Sequence, residues 1–240
     1  MGKTPAVKTT KPSTPKKTPT KINKIKAVVQ KQNQLQLIKE ESNESGTQQI
    51  EEGSPEYWMA KAQAIQKPDG SDPNNPVRVY ADGVFDMYHI GHAKLLRQCK
   101  QLFKHVHLIV GVSGDEETIR KKGKIVFTED ERSSILLHCK WVDDLIMPCP
   151  WVIDIPFLLK HNIHYVAHDD LPYGSVGQED IYAEIKRAGM FKATQRTEGI
   201  STSDIILRII KDYDMYVQRS LERGYGRKEI GVSNTKLARI

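Results

Sequence analysis

The sequence predicts an α/β fold, an open and mostly parallel sheet with helices over both faces, and three observations carry that expectation. Short apolar runs rich in β-branched residues alternate with helical stretches after Pro76, which is how parallel strands and their crossover helices read in a sequence. The runs are apolar along their whole length, as strands buried on both faces must be. Clusters of His, Gly, Lys, Arg and hydroxyl residues follow several of the runs, where the carboxyl ends of parallel strands meet ligands.

In chain order, residues 1 to 75 are rich in Lys, Thr, Pro, Ser, Gln and Glu and poor in aromatics. Such a segment buries too little apolar surface to offset the entropy of ordering. A disordered basic tail and linker are expected, with a short amphipathic turn at Tyr57-Trp58-Met59 docking on the body. Pro73-Asn74-Asn75-Pro76 then punctuates the chain. Val77 to Ala81 reads as the first buried strand, and Ala93 to Cys99 as the helix it feeds. Val106 to Val112 is a second strand. Thr128-Glu129-Asp130-Glu131 is a capping box opening a helix through His138, because Thr128 can accept from the third helical amide while Glu131 reaches back. Val142 to Met147 is a shorter strand, Ile153 to Lys160 a helix, and Ile163 to His168 a strand closed by Asp169-Asp170. A loop with Pro172, Gly174 and Gly177 leads to a helix over 180–188, and Phe191 to Thr197 forms the last strand. One helix from Thr202 to Arg223 would place Ile205, Ile206, Ile209, Ile210, Tyr213, Tyr216 and Val217 on one face, stopped by Gly224 and Gly226. The domains expected are a tail over 1–75, a folded body over 76–225 and a short polar end over 226–240.

Charge separates tail from body. Residues 1–40 hold ten lysines and one glutamate, a net of +9, and the remaining 26 basic and 29 acidic residues leave −3. The pI near 9.0 is therefore a property of the tail, and a specific nucleic-acid ligand for the body is not expected. The tail's Pro-Lys-Lys and Lys-Ile-Asn-Lys-Ile-Lys pieces could serve as a nuclear address or touch an anionic membrane, although a basic tail is more often a solvating one. Three cysteines, Cys99, Cys139 and Cys149, stand at neither zinc nor redox-pair spacing and suit a reducing compartment, cytoplasmic or nuclear. No apolar run reaches the roughly 18 residues of a spanning helix, the start lacks a signal-peptide core, and Ala6 breaks the myristoylation pattern after Met1-Gly2.

Chemistry concentrates at four strand ends. Asp82-Gly83-Val84-Phe85-Asp86 leads to His89 and His92, three apart where a strand hands over to a helix. Free amides and the positive dipole end favour an anion there, with phosphate the leading candidate. A zinc site is the weaker rival, since no Cys or carboxylate stands at ligand spacing, and two histidines that merely cap a helix explain the pattern equally well. Arg120-Lys121-Lys122-Gly123-Lys124 reads as a basic loop, either solvated or a phosphate clamp. Ala167-His168-Asp169-Asp170 is the third cluster. In the fourth, Gln195-Arg196-Thr197-Glu198-Gly199-Ile200-Ser201-Thr202-Ser203, amides, hydroxyls and a guanidinium can converge on a polyphosphate; a plain helix cap at Ser201 or Thr202 accounts for the hydroxyls but not for Arg196 or Gly199.

His89-x-Gly91-His92 after a strand, paired with Arg196-Thr197-Glu198-Gly199-Ile200-Ser201-Thr202-Ser203, resembles the signature of the cytidylyltransferase family of nucleotidyltransferases. Arg78-Val79-Tyr80-Ala81-Asp82-Gly83, Val166-Ala167-His168-Asp169-Asp170-x-Pro172-Tyr173 and Ala188-Gly189-Met190-Phe191 resemble its choline-phosphate branch. The likeness runs from about residue 76 to about residue 230. The short histidine motif alone also occurs in adenylyltransferases and class I aminoacyl-tRNA synthetases; the pair of motifs is far more specific.

The resemblance implies a Rossmann-like sheet of the nucleotidyltransferase superfamily that joins CTP to phosphocholine, giving CDP-choline and pyrophosphate for phosphatidylcholine synthesis. It implies that His89 and His92 hold the phosphates at the reacting phosphorus, that Lys122 bridges the two substrates, and that Arg196 and Thr202 stabilise the departing phosphates. Val84, Phe85, His168, Asp169, Gln195, Thr197, Gly199, Ile200 and Ser201 would surround the nucleotide, with Gly91 keeping a side chain from crowding it. A magnesium ion (Mg2+) would arrive on the triphosphate with few protein ligands. Trimethylammonium cannot donate an N–H hydrogen bond, so its site needs aromatic faces and a carboxylate. Asp82, Trp151, Tyr173 and Tyr182 match the family's cage. Trp151 and Tyr182 could equally be core aromatics, whereas Tyr173 in a Pro-Tyr-Gly loop suits a core poorly.

A homodimer is implied as well, but Lys140 stands where the family usually carries arginine, and lysine cannot form the forked contact. Animal members continue into a long amphipathic helix that binds anionic membranes, and Ile240 precedes any such segment. The chain is therefore expected to be a shortened catalytic unit or to act independently of lipid, with 226–240 the start of the regulatory segment. The alternatives are phosphoethanolamine or glycerol-3-phosphate as acceptor and, in a different class, a nucleic-acid-binding protein acting through its tail.

Overall fold

A computed structural model of the chain describes residues 50–170 and 180–237. Contacts divide the chain into two units, Met1–Glu52 and Gly53–Ile240, and the architecture below is that of the second. The tail over 1–49 and the loop holding Pro172, Tyr173, Gly174 and Gly177 lie outside the described residues.

The sheet has five strands in the order β3-β2-β1-β4-β5, every pair parallel. β1 (Val77–Gly83) is its centre, in register with β2 (Val106–Ser113) from Val77↔Val106 to Gly83↔Val112. β3 (Asp144–Cys149) lies outside β2, while β4 (Tyr165–Asp169) and β5 (Phe191–Thr194) continue from the other edge of β1. Strand order thus reverses between β1 and β4, which opens a crevice at their carboxyl ends. Alternation along β1 feeds two cores. Val77, Val79 and Ala81 pack on one face with Leu96, Leu108, Val110 and Leu136. Tyr80 packs on the other with Ile109, Leu158, Ile163, Val166, Ile185 and Met190.

Several helices match the sequence expectation with shifted ends: α2 (Ile90–Lys100), α4 (Glu129–Leu137), α5 (Ile155–Lys160) and α6 (Ala183–Arg187). Both halves of the capping box form at α4, with Glu131 N–H donating to Thr128 Oγ1 and Thr128 N–H to Glu131 Oε2.

Four expectations are corrected. The turn expected to dock at Tyr57-Trp58-Met59 does dock, with Trp58 and Met59 on the core, but it is a full helix, α1 (Pro55–Ala64), within the stretch read as linker; Ser54 caps it and Ala62 is fully buried. The supposed basic loop is the last turn of α3 (Asp115–Lys122), whose acidic first turn and basic last turn complement the helix dipole but show no apolar stripe to reveal it. The long final helix is two, α7 (Thr202–Lys211) and α8 (Tyr213–Glu222), broken at Asp212, where φ is −106° and ψ 22°. Asp is a weak helix former that competes for backbone hydrogen bonds. Of its expected apolar face only Val217 is buried, with Ile210 61% and Tyr216 40% exposed. Finally, the last strand stops at Thr194, so residues 195–200 form an arm rather than an edge. A short helix, α9 (Asn234–Leu237), follows near the end.

Candidate active site

The crevice between β1 and β4 holds a cavity of about 500 Å3. All five residues expected to be catalytic, His89, His92, Lys122, Arg196 and Thr202, line it. So do Val84, Phe85, His168, Asp169, Gln195, Thr197, Ile200 and Ser201 from the expected nucleotide set, and Asp82 from the acceptor set. Gly199 is not a lining residue; with φ at 73° it bends the arm that carries Arg196.

The two histidines are fixed by backbone. His89 caps α2, its Nδ1 accepting from Gly91 N–H at 3.0 Å, and His92 Nδ1 accepts from His89 N–H at 3.3 Å. A ring nitrogen that accepts carries no hydrogen, so each imidazole presents Nε2–H as its donor. The rings stack with centroids 3.8 Å apart. Burial lowers both pKa values; for His92, with its neighbours His89 and Lys122 adding to burial and Asp86 opposing, the value falls to about 4. Both are therefore neutral donors near pH 7. A Cβ on Gly91 would come within 2.8 Å of the His89 ring and 3.4 Å of Ile200. The glycine thus keeps clear of the protein's own histidine, a reason the sequence did not show.

The turn carrying the histidines is held in a strained form. Phe85 and Met87 have φ of 55° and 48°, sterically unfavourable for side chains of their size. Asp86 between them is buried and accepts from the amides of Val126 and Phe127, both at 2.9 Å. Arg132, fully buried, donates to the carbonyls of Val84, Phe127 and Ser113 and to Asp115 Oδ1. The anchoring role of Asp86, which the sequence only placed in the cluster before the histidines, and Arg132 altogether were missed in the sequence. Asp86 had a faint signal, a carboxylate in a strand-to-helix turn; Arg132 had none, since a charged residue on a helix usually faces water.

Opposite, Ser201 caps α7, accepting from Asp204 N–H at 3.1 Å and donating to Asp204 Oδ2 at 2.7 Å. Thr202 Oγ1 donates to the carbonyl of Asp86 at 3.0 Å. Both hydroxyls are thus engaged within the protein, and what this helix start offers an anion is its amides. Arg196 is exposed at the rim and makes no ion pair among the described residues.

Asp82 also lines the cavity, and burial raises its pKa, with His168 and Lys122 opposing. Tyr182 Oη lies 3.5 Å from Asp82 Oδ1, and its ring is 4.9 Å from that of His168. Tyr182 is 3% exposed and belongs to the core, so it meets the cavity through its neighbours only. Trp151 does not line the cavity; Lys121 and Lys122 hold their ammonium groups 5.1 and 5.5 Å from its ring centroid. Lys122 has its pKa lowered by burial of the ammonium, against the pull of Asp82. Lys140 lies over Trp141, Nζ 4.6 Å from its centroid. Among the described residues no group of three or more His, Cys, Asp or Glu could hold a metal ion, and no helix is long and apolar enough to cross a membrane.

Choline-phosphate cytidylyltransferase 2 of Arabidopsis thaliana is 56% identical over 167 residues, covering 69% of this chain and 55% of that protein. Choline-phosphate cytidylyltransferase A of Rattus norvegicus is 54% identical over 164 residues, 68% of this chain and 45% of its own. Ethanolamine-phosphate cytidylyltransferase of Mus musculus is 40% identical over 134 residues, 56% of this chain and 33% of its own. The chain spans about half the length of the choline-phosphate relatives it matches. The cytidylyltransferase-like family model matches residues 80–208. That match runs from β1 into α7 and takes in both walls of the cavity, so this chain belongs to the cytidylyltransferase-like family.

Proposed function

We propose that the chain transfers the cytidylyl group of CTP to phosphocholine and releases pyrophosphate. The observation that carries this reading is the mixed lining of one cavity. Neutral imidazole donors, helix-start amides and Arg196 line it together with Asp82, a partly buried carboxyl beside Tyr182. A substrate pair that carries both phosphates and a fixed cation complements that lining. The printed activity of the relatives at 54–56% identity supports the same acceptor.

In this reading an oxygen of phosphocholine forms a bond to the α-phosphorus of CTP as the bond from that phosphorus to the bridging oxygen of pyrophosphate breaks. No side chain is covalently modified, so the protein contributes placement and charge neutralisation. His89 and His92 donate Nε2–H to oxygens of the α-phosphate, where negative charge builds in transit. Arg196 and the first amides of α7 receive the leaving pyrophosphate. Lys122, which lines the cavity within the influence of Asp82, reaches the phosphates, and the choline cation is placed against Asp82. The donors lining the cavity are N–H groups and cations, which fit phosphate oxygens, and magnesium is proposed to come with the triphosphate and neutralise its charge.

Pyrophosphate release from CTP and magnesium, measured with phosphocholine and with phosphoethanolamine, tests the proposal. The expected result is a higher kcat/KM with phosphocholine. Release with neither acceptor would falsify the reaction, and faster release with phosphoethanolamine would transfer the chain to the second reading, the activity named for the more distant relative at 40% identity.

A further inference from the structure

Gln98 lies on α2, the helix whose start carries His89 and His92. Its side-chain amide makes two hydrogen bonds to a single residue of the opposite wall. Nε2–H donates to the carbonyl of Gln195 at 2.9 Å, and Oε1 accepts from the amide of Gln195 at 2.9 Å. A primary amide here does what a neighbouring strand would do, satisfying both backbone groups of one residue. Gln195 has no strand to do this. The last pair of the β4–β5 ladder is Asp169↔Thr194, so Gln195 is the first residue of the free arm. Arg196 and Thr197 follow it directly, and both line the cavity. One helix therefore carries the two histidines and grips the arm that bears Arg196.

We propose that Gln98 is a positioning residue for nucleotide handling: its paired bonds to the backbone of Gln195 set Arg196 and Thr197 at a fixed distance from His89 and His92. The inference rests on the reading of this cavity as a CTP site. The competing view is a solvated surface amide. Two bonds of equal length to the two backbone groups of one residue argue against it, because an idle amide has no reason to select both. Gln is the side chain that offers a donor and an acceptor side by side at that reach. Asn would be a methylene short, and Glu at neutral pH would set a carboxylate against the Gln195 carbonyl.

The variants that test this alter a partly exposed residue, so folding should survive. Gln98→Met keeps length and removes both bonds. Gln98→Glu restores the pair only when protonated, one oxygen accepting and the O–H donating. With two net hydrogen bonds lost at the arm, Gln98→Met should lower kcat/KM for CTP by about 10- to 100-fold, with KM for phosphocholine unchanged. Gln98→Glu should regain activity relative to wild type as pH is lowered into the carboxyl range, while Gln98→Met stays flat against wild type. An unchanged kcat/KM for CTP in Gln98→Met, a parallel rise in both substrates' KM, or a pH-independent ratio of the two variants would each overturn the proposal. Calorimetric titration with CTP, without acceptor, separates the two layers. Wild type that binds CTP but releases no pyrophosphate sinks the function reading and leaves the clasp to be decided by the CTP affinity of Gln98→Met; wild type that binds no CTP overturns both.

Discussion

A histidine three residues from another tells little until the atom that donates is known. Here backbone amides occupy Nδ1 of both His89 and His92, and this leaves Nε2–H as the working donor without any charge on the ring. Placement is then everything, because a neutral donor acts over hydrogen-bond distance only. Gly91 is the residue on which that placement turns. A methyl group there collides with the His89 ring at 2.8 Å from Cε1 and 2.9 Å from Nδ1, and the ring, not the helix, must move. Gly91→Ala is therefore expected to lower kcat by about 100-fold, the scale of a misplacement near 1 Å, while the circular dichroism and the urea midpoint change little. Retention of wild-type kcat in Gly91→Ala would contradict the role given to His89.

Elements differ in how they hold the walls of the cavity. α4 was legible because its capping box is a local device, complete within Thr128 to Glu131. Its more consequential residue, Arg132, acts on the distant carbonyls of Val84 and Ser113 and on Asp115 as well as on nearby Phe127, and nothing adjacent to it in sequence announces that. The two can be ranked. Thr128→Ala removes one exposed cap and should destabilise by about 1 kcal/mol. Arg132→Met strips a buried guanidinium from Val84, Ser113, Phe127 and Asp115 and should cost about 3–5 kcal/mol, the range for breaking a buried ionic network from one side. Equilibrium urea unfolding of both variants checks the order; equal losses would mean that Arg132 is no more than a second cap. α3 and the break between α7 and α8 escaped the sequence for related reasons. The first has charges arranged for a dipole and no apolar period, and the second turns on the backbone angles of one residue, Asp212.

For the whole molecule, histidines partly or wholly withdrawn from water set an acid limit. His89, His92 and His164 all have pKa values lowered by burial, and His164 Nδ1 accepts from the amide of Arg78 at 3.0 Å. A histidine whose folded pKa lies below its unfolded one leaves the unfolded chain binding the extra proton. Stability is then full above the unfolded value near 6.5 and falls as pH drops towards the folded value. For His92 that window ends at about 4, with a slope of at most about 1.4 kcal/mol per pH unit. Urea midpoints measured between these limits should fall with acid in the wild type and fall less steeply in His92→Gln; parallel curves would refute the assignment. Asp82 adds a second pH-sensitive group in the cavity, since burial raises its pKa and a cation placed beside it would lower it again.

The sequence by itself determined the class of fold, the five strands and the two segments that meet at the cavity. A buried strand has to be written as an apolar run, and anion-binding turns have to be written in His, Gly, Arg and hydroxyls. Tertiary structure alone decided how those residues are used. It committed the hydroxyls of Ser201 and Thr202 to Asp204 and Asp86, drew Tyr182 into the core with only its oxygen near Asp82, put Lys122 at a helix end over Trp151, and gave Gln98 and Arg132 partners far along the chain. Periodicity records which side of an element faces the core. The partner of a polar group is set by what the fold brings within about 3 Å of it, and that distance is absent from any one stretch of sequence.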